Sequence, residues 1–251
     1  MNSTPETVPH KSVIVTGASR GIGHATVKTF SDRGWRVITC SRDAVPEACQ
    51  VDPNWTGHIT CDLSKPGDQD RFVAAALDML GDEPLGALVN NAGVSPKTPY
   101  RERLGCLNGD VAAWKEVFEL NLFAPLRLAR GFAPALHRGR GAVVNVTSIA
   151  GHAVHPFAGS AYSVSKAALS ALTREMASEF GALGIRVNAI APGEIATDML
   201  SPETEALIPR IPLERLGTPE EVANVIHFLC SDGAGYVSGT ELFVTGAQHI
   251  F

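Results

Sequence analysis

The sequence has little of what several classes of protein require. Its five cysteines are odd in number and form no Cys-x-x-Cys pair: Cys40, Cys49, Cys61, Cys106 and Cys230. Neither a disulfide framework nor a structural zinc site is therefore expected. No apolar run approaches the ~18 residues that a membrane span needs, and the polar start MNSTPETVPHK lacks the apolar segment of a signal peptide. These absences predict a cytoplasmic protein without a bound metal.

Positive charge is also scarce, because 21 Lys and Arg residues face 26 Asp and Glu residues, a net charge of −5. A chain without a basic surface has no means to hold a polyanion, so we expect neither nucleic acid nor membrane as a partner. The hydrophobic content of 45% is that of an ordinary globular protein.

Short β-branched runs alternate with longer amphipathic segments along the chain. The predicted strands are 12–16, 35–40, 58–61, 87–90, 142–147, 185–190 and 241–245, and the predicted helices are 21–33, 68–80, 111–137, 161–181 and 219–230. The last helix has a capping box, with Thr218 as N-cap and Glu221 three residues later. This alternation predicts a seven-stranded, doubly wound parallel sheet with helices on both faces. Without a shift in composition, residues 1–251 are expected to form one domain, with 1–10 as a flexible N-terminus.

Three glycines, Gly17, Gly21 and Gly23, stand between the first strand and the first helix in VIVTGASRGIGHA. Glycine lets a backbone turn sharply and approach a ligand, and the N-terminus of the helix then offers free N–H groups to a phosphate. Taken alone, such a turn is either a phosphate site or a purely structural feature.

A tyrosine precedes a lysine by four residues in SAYSVSKA, so Tyr162 and Lys166 share one face of a helix. A free phenol has a pKa of about 10, and a nearby ammonium group favours its ionised form. The spacing therefore predicts that Lys166 lowers the pKa of Tyr162 into the range useful for acid–base catalysis. A pair of solvated side chains is the alternative.

These motifs, in this order, resemble the short-chain dehydrogenase/reductase family, in the branch whose members are about as long as this chain. The resemblance covers residues 11–246 and rests on TGASRGIG, CDLS, NNAG, LN, TS, YSVSK and APGEIATDM. It implies a Rossmann-like fold and an NAD(P)(H)-dependent oxidoreductase that transfers a hydride between nicotinamide and a carbonyl or secondary alcohol. It also implies a homotetramer, with a homodimer as the alternative.

The resemblance assigns the catalytic roles. Tyr162 would exchange a proton with the substrate oxygen, and Ser148 would hydrogen-bond the same oxygen. Lys166 would tune Tyr162 and bind the ribose, while Asn121 would hold a water of the proton relay. The expected cofactor-binding set is Gly17, Ser19, Arg20, Gly21, Ile22, Gly23, Ser41, Arg42, Asp62, Leu63, Asn90, Ala92, Gly93, Tyr162, Lys166, Pro192, Gly193, Ile195 and Thr197.

Two loops at the carboxyl edge of the sheet, 94–110 and 194–213, are expected to shape the substrate site. Segment 194–213 is predicted to be a lid, with Met199 on its apolar inner face. The family resemblance places His152, His155 and Phe157 on the substrate side, although solvated loop histidines are the alternative. Their spacing does not form a metal-ligand set.

The choice between NAD and NADP depends on the end of the second strand. An acidic residue there is common in members that use NAD, but this chain has Ser41 followed by Arg42, with Arg20 in the glycine turn. Two guanidinium groups suit a 2′-phosphate, so NADP(H) is favoured. Asp43 could neutralise Arg42, and NAD(H) remains possible.

The substrate is not identified by the sequence. The best-known relatives reduce 3-oxoacyl groups on an acyl carrier protein and need basic residues near the site entrance to meet the acidic carrier. Arg127 stands at one plausible position, but Ser178 occupies the other. A dinucleotide-binding regulator without activity is the alternative from another class, and the presence of both Tyr162 and Lys166 disfavours it.

Overall fold

The computed structural model of the protein describes residues 11–43, 52–98, 102–197, 200 and 202–250. Its strands are β1 (Ser12–Thr16), β2 (Arg36–Ser41), β3 (Trp55–Thr60), β4 (Leu85–Asn90), β5 (Ala142–Val146), β6 (Arg186–Pro192) and β7 (Glu241–Val244). Its α-helices are α1 (Gly21–Ser31), α2 (Pro66–Leu80), α3 (Val111–Phe118), α4 (Ala124–Gly139), α5 (Ser160–Gly181) and α6 (Pro219–Cys230). The predicted flexible terminus, residues 1–10, lies outside the described residues.

The strands form one parallel sheet in the order β3-β2-β1-β4-β5-β6-β7. Strands β1, β4, β5 and β6 are buried almost throughout, as expected when helices cover both faces. The chain starts at β1 and winds first to one side and then to the other, so the order reverses between β1 and β4. The predicted doubly wound fold is confirmed, and its ligand site is expected at this reversal, beyond the carboxyl ends of the strands.

Two apolar layers hold the helices against the sheet. On one face α1 and α6 pack together, and Phe30 meets Trp35 edge to face at 4.9 Å between ring centroids. On the other face α2, α4 and α5 cover the sheet, with Phe72 and Phe132 at 5.9 Å. The N-terminus of α6 has the predicted capping box between Thr218 and Glu221. No helix in the described part of the chain is long and apolar enough to span a membrane.

The structure divides the predicted helix 111–137 into two α-helices, α3 and α4. Between α3 and α4 the chain makes a π-helical turn over Glu119–Phe123, which contains Asn121. A π turn inserts an extra residue and breaks the regular spacing of side chains, and such turns occur frequently at functional sites. The apolar pattern of the sequence continues through this turn, so it did not indicate the interruption.

The predicted lid, 194–213, is partly helical. Its second half forms a 3-10 helix, Pro202–Arg210; Leu207 in this helix and Ile211 directly after it are buried. Met199, the predicted contact between lid and substrate, lies outside the described residues.

Candidate active site

The glycine turn between β1 and α1 is shaped so that only glycine fits. Gly17 and Gly21 have φ values of +66° and +55°, in the left-handed region. A Cβ on Gly23 would lie 2.1 Å from the carbonyl oxygen of Gly17. The side-chain amide of Asn91 donates to the carbonyls of Thr16 and Gly17, both at 3.0 Å, and fixes the turn from the side. Asn91 was not among the predicted residues, although NNAG contains it.

This turn forms one wall of a cleft across the carboxyl ends of β1 to β4. The cleft brings together most of the predicted cofactor-binding residues: Gly17, Ser19, Arg20, Gly21, Ile22, Gly23, Ser41, Arg42, Asp62, Leu63, Ala92, Gly93 and Thr197. Cys40, Asp43, Cys61, Asn91, Val94 and Leu120 line it as well, without having been predicted. Cys40 lies at the end of β2, and Cys61, Asn91 and Val94 follow the ends of β3 and β4, so the edge of the sheet forms most of this cleft.

Asp62 is held in its ionised form at the floor of the cleft. Burial alone would raise its pKa, but Ser64 donates from both its backbone N–H and its hydroxyl, at 3.1 and 2.7 Å. With Lys65 and Arg42 adding positive charge, the net pKa of Asp62 lies below its usual value. Its carboxylate is an acceptor for a ligand that offers N–H donors.

The end of β2 presents arginine to the cleft. Arg42 and Arg20 are both exposed, and no ion pair joins Arg42 to Asp43 within the described residues. Ser41 donates its hydroxyl to the backbone carbonyl of Asp43, and the Nε2 atom of His58 lies 3.0 Å from that carbonyl. The neutralisation of Arg42 that the sequence left open is therefore not observed.

Lys166 is a buried ammonium group without an ion-pair partner in the described part of the chain. Its side chain projects from α5 towards β5, where Nζ donates to the carbonyl oxygen of Val146 at 2.7 Å. The residue is only 3% exposed, and this burial lowers the pKa of Lys166 to about 8. A Cβ on Gly93 would come within 3.2 Å of Nζ, so the glycine leaves the space that the ammonium group faces.

Tyr162 lies one helical turn before Lys166, whose Nζ is 5.7 Å from the centre of the phenol ring. Burial has the largest effect on the pKa of Tyr162 and raises it; a hydrogen bond with Ser148 lowers it, and the charge of Glu194 raises it. The net shift of this pKa is upward. The predicted downward shift is wrong for the described site, because removal of the phenol from water outweighs the interactions that favour the phenolate.

Asn121 is completely buried in the π turn and connects three elements. Its Oδ1 accepts from the backbone N–H of Val94 at 2.9 Å, and its Nδ2 donates to the Val94 carbonyl and to the Ser165 hydroxyl, both at 3.0 Å. Ser165 belongs to α5, next to Lys166. The side chain therefore ties the loop after β4 to the helix that holds Tyr162 and Lys166.

A second cleft lies on the other side of Lys166. Its lining includes Ser148, Tyr162, Lys166, Pro192, Gly193, Ile195 and Thr197 from the predicted sets, with His155 and Phe157 from the predicted substrate contacts. Glu194 lines it too and was not predicted. Ile22, Asn91, Gly93 and Thr197 line both clefts, which therefore adjoin along these residues and are together called the trough.

Three of the predicted residues that the structure describes line neither cleft: Asn121, whose contacts are given above, His152 and Asn90. His152 does not line either cleft; its Nε2 atom lies 3.0 Å from Glu241, and its ring packs edge to face on Phe243 at 4.8 Å. Asn90 is buried in the sheet, where its amide donates to the Asn145 side chain at 2.9 Å. Asn90 is placed by its contact with the neighbouring strand β5, and His152, which lies in the turn after β5, by its contacts with β7; neither contact is visible in a linear pattern.

The comparisons with known proteins agree with this geometry. A family model described as enoyl-(acyl carrier protein) reductase matches residues 17–249. Protein FixR of Bradyrhizobium diazoefficiens is 54% identical over 242 residues, covering 96% of this chain and 87% of that protein. Dehydrogenase/reductase SDR family member 4 of Oryctolagus cuniculus is 35% identical over 250 residues, covering 94% and 93%. A Brucella ovis oxidoreductase of the short-chain dehydrogenase/reductase family, in complex with a partially ordered NAD, has a TM-score of 0.80 at 49% identity, covering 94% of this chain and 99% of that one.

The chain belongs to the short-chain dehydrogenase/reductase family. It is an NAD(P)-dependent oxidoreductase that acts on alcohol and carbonyl groups, as the sequence predicted. The described residues fit the dinucleotide: the turn at Gly17 and Gly23 leaves a cradle that a Cβ would fill, and the trough runs from there to Tyr162.

Substitution of Gly23 by alanine tests the cradle. The new methyl group must displace the carbonyl of Gly17, so we expect Gly23→Ala to weaken NADPH binding by about tenfold or more, measured by fluorescence titration. Gly67→Ala is the matched control, because nothing lies within 4 Å of its Cβ position. Equal affinity of the two variants, with unchanged melting temperatures, would contradict the assignment of the turn.

Proposed function

We propose that this chain transfers a hydride between NADP(H) and the carbonyl or secondary alcohol group of a small molecule, with Tyr162 as the acid–base catalyst. One observation supports this above the others: Tyr162 and Ser148 line the same cleft, which adjoins the cleft that contains the glycine cradle. When bound, the nicotinamide supplies or accepts the hydride. The protein must position the substrate oxygen and move one proton.

In this proposal the Tyr162 hydroxyl donates its proton to the substrate oxygen during reduction and removes a proton from the alcohol during oxidation. A phenol is protonated at neutral pH, and the upward shift of the pKa of Tyr162 favours this form further, which is the form that donates. Ser148 orients both the phenol and the substrate oxygen. Its own Oγ accepts from the backbone N–H of Ala150 at 3.2 Å, which fixes the hydroxyl in place.

Lys166 contributes a positive charge and hydrogen-bond donors to the same region. A buried ammonium group in a medium of low dielectric constant acts more strongly on a developing phenolate than it would in water. Among the described residues Lys166 donates one hydrogen bond, to Val146, so other N–H groups of Lys166 are available to ribose hydroxyls. Asn121 positions α5 and is proposed to hold the water that resupplies the proton.

The central test is Tyr162→Phe. Removal of the hydroxyl leaves the ring packing in place but takes away the proton donor, so we expect turnover to fall by about a thousandfold or more while NADPH affinity changes little. Tyr236→Phe is the control, because Tyr236 is fully exposed and lines neither cleft. Substantial reductase activity of Tyr162→Phe with a panel of ketones would refute the role of Tyr162.

The preference for NADP(H) is supported by the exposed guanidinium groups of Arg20 and Arg42 and by the absence of an acidic residue at the end of β2. Arginine binds a phosphate in bidentate fashion, whereas a carboxylate at this place would bind ribose hydroxyls. Because no ion pair joins Arg42 to Asp43 within the described residues, the charge of Arg42 is available to a 2′-phosphate.

We therefore expect a lower KM for NADPH than for NADH. Arg42→Ala should raise the KM for NADPH by about tenfold and leave the KM for NADH nearly unchanged, since one charge-assisted contact is lost. Arg138→Ala, on the exposed surface of α4 and away from both clefts, is the control. A clear preference of the unaltered protein for NADH would contradict this proposal.

Reduction of an acyl chain on a carrier protein is the weaker alternative. Arg127, the one basic residue at a plausible docking position, pairs with Glu119 and donates to Gln69 at 2.9 Å. The positive charge of Arg127 is therefore largely compensated within the chain, which makes it a weak contact for an acidic carrier protein. The regulator without activity also loses support, because the proposed proton donor and cation are both in place. The homotetramer, the cytoplasmic location and the single domain over 1–251 stay predictions.

A further inference from the structure

A hydrogen-bonded histidine–glutamate pair stands in the wall of the substrate cleft, beyond the four proposed catalytic residues. The Nε2 atom of His155 lies 2.6 Å from Oε1 of Glu194, and the two side chains are only 14% and 5% exposed. Glu194 is the second residue after β6, between Gly193 and Ile195, and lines the same cleft as Tyr162. Burial of a carboxylate is unfavourable unless hydrogen bonds compensate for the lost water, so this position needs an explanation.

The hydrogen bonds of His155 define its protonation. Its Nδ1 atom accepts from the backbone N–H groups of Phe157 and Ala158, at 3.2 and 3.1 Å. An acceptor nitrogen has no proton, so the ring is neutral and its proton is on Nε2, which donates to Glu194. His155 therefore orients the carboxylate of Glu194 without neutralising it.

The carboxylate has unused capacity to accept hydrogen bonds. The amide of Gln248 also donates to Oε1 of Glu194, at 3.4 Å, so both described donors reach the same oxygen. Within the described residues, Oε2 of Glu194 receives no hydrogen bond. Glu194 and Tyr162 line the same cleft, and the negative charge of Glu194 adds to the effect of burial in raising the pKa of Tyr162.

We propose that Glu194 determines substrate specificity: its carboxylate accepts a hydrogen bond from a hydroxyl or ammonium group on the carbon next to the reacting carbon, and it repels substrates with a carboxylate there. The inference rests on the proposed function of Tyr162 and names the substrate class for that site. A polar site that expects a donor rejects analogues without one, because its own acceptor is then left unpaired. A negative substituent meets the additional cost of two like charges in a poorly solvated cleft.

A matched set of cyclic alcohols tests the inference in the direction of oxidation, with NADP⁺. The set is cyclohexanol, cis- and trans-1,2-cyclohexanediol, 2-aminocyclohexanol and 2-hydroxycyclohexanecarboxylate, which differ in one substituent. For the unaltered protein we expect kcat/KM to be about tenfold or more higher for a diol or the amino alcohol than for cyclohexanol, and lowest for the hydroxy acid. Comparison of the diols with the amino alcohol shows whether a hydroxyl or an ammonium group is the preferred donor.

The variant Glu194→Gln keeps an acceptor for His155 and removes the negative charge. We expect its ratio of kcat/KM for the better diol or the amino alcohol to that for cyclohexanol to fall by about tenfold, and the discrimination against the hydroxy acid to decrease. Glu241→Gln is the matched control: Glu241 is also paired with a histidine and 12% exposed, but it lines neither cleft. Its ratios should equal those of the unaltered protein.

The outcomes are distinguishable. If the unaltered protein oxidises members of the set but Glu194→Gln and Glu241→Gln give the same ratios, the inference is wrong and the proposed function stands. The inference is also wrong if the hydroxy acid is the preferred substrate. If the unaltered protein binds NADP⁺ and reduces ketones of the panel but oxidises no member of the set, the inference is wrong and the proposed function stands; if it also reduces no ketone, the proposed function fails.

Discussion

The hydrogen bond from the Lys166 ammonium group to the Val146 carbonyl is the interaction on which the site depends. It connects α5 to the end of β5 and holds a cation in a region almost without water. Burial of an unpaired ammonium group destabilises its charged form, and the lowered pKa of Lys166 reflects this. Such a cost is retained where the charge has a use, and the adjoining phenol of Tyr162 provides one.

The surroundings of this cation come from separate parts of the chain. Gly93 leaves space for it after β4, and Asn121 in the π turn joins that loop to α5. Ser148 follows β5 and reaches the phenol. Because parallel strands all end at one edge, side chains distant in sequence meet there without long loops. The same edge holds the glycine turn, so the two clefts join beside Lys166.

Much of this arrangement could be predicted from sequence. Apolar runs and helix periodicity gave the sheet and helices, and the spacing of Tyr162 and Lys166 placed them on one face, because these features are local. The π turn at Asn121, the contact of His152 with Glu241 and the pair of His155 and Glu194 depend on tertiary neighbours. The direction of the Tyr162 pKa shift was missed for the same reason, since burial is a property of the whole fold.

In the proposed function, one trough brings cofactor and substrate together at Tyr162. A crystal structure with NADPH and a non-reactive alcohol bound measures this directly. We predict the adenosine phosphate near Arg42, the nicotinamide beside Lys166, and the alcohol oxygen within hydrogen-bond distance of both the Tyr162 and Ser148 hydroxyls. A dinucleotide confined to one cleft, or an alcohol oxygen that contacts neither hydroxyl, would contradict the account.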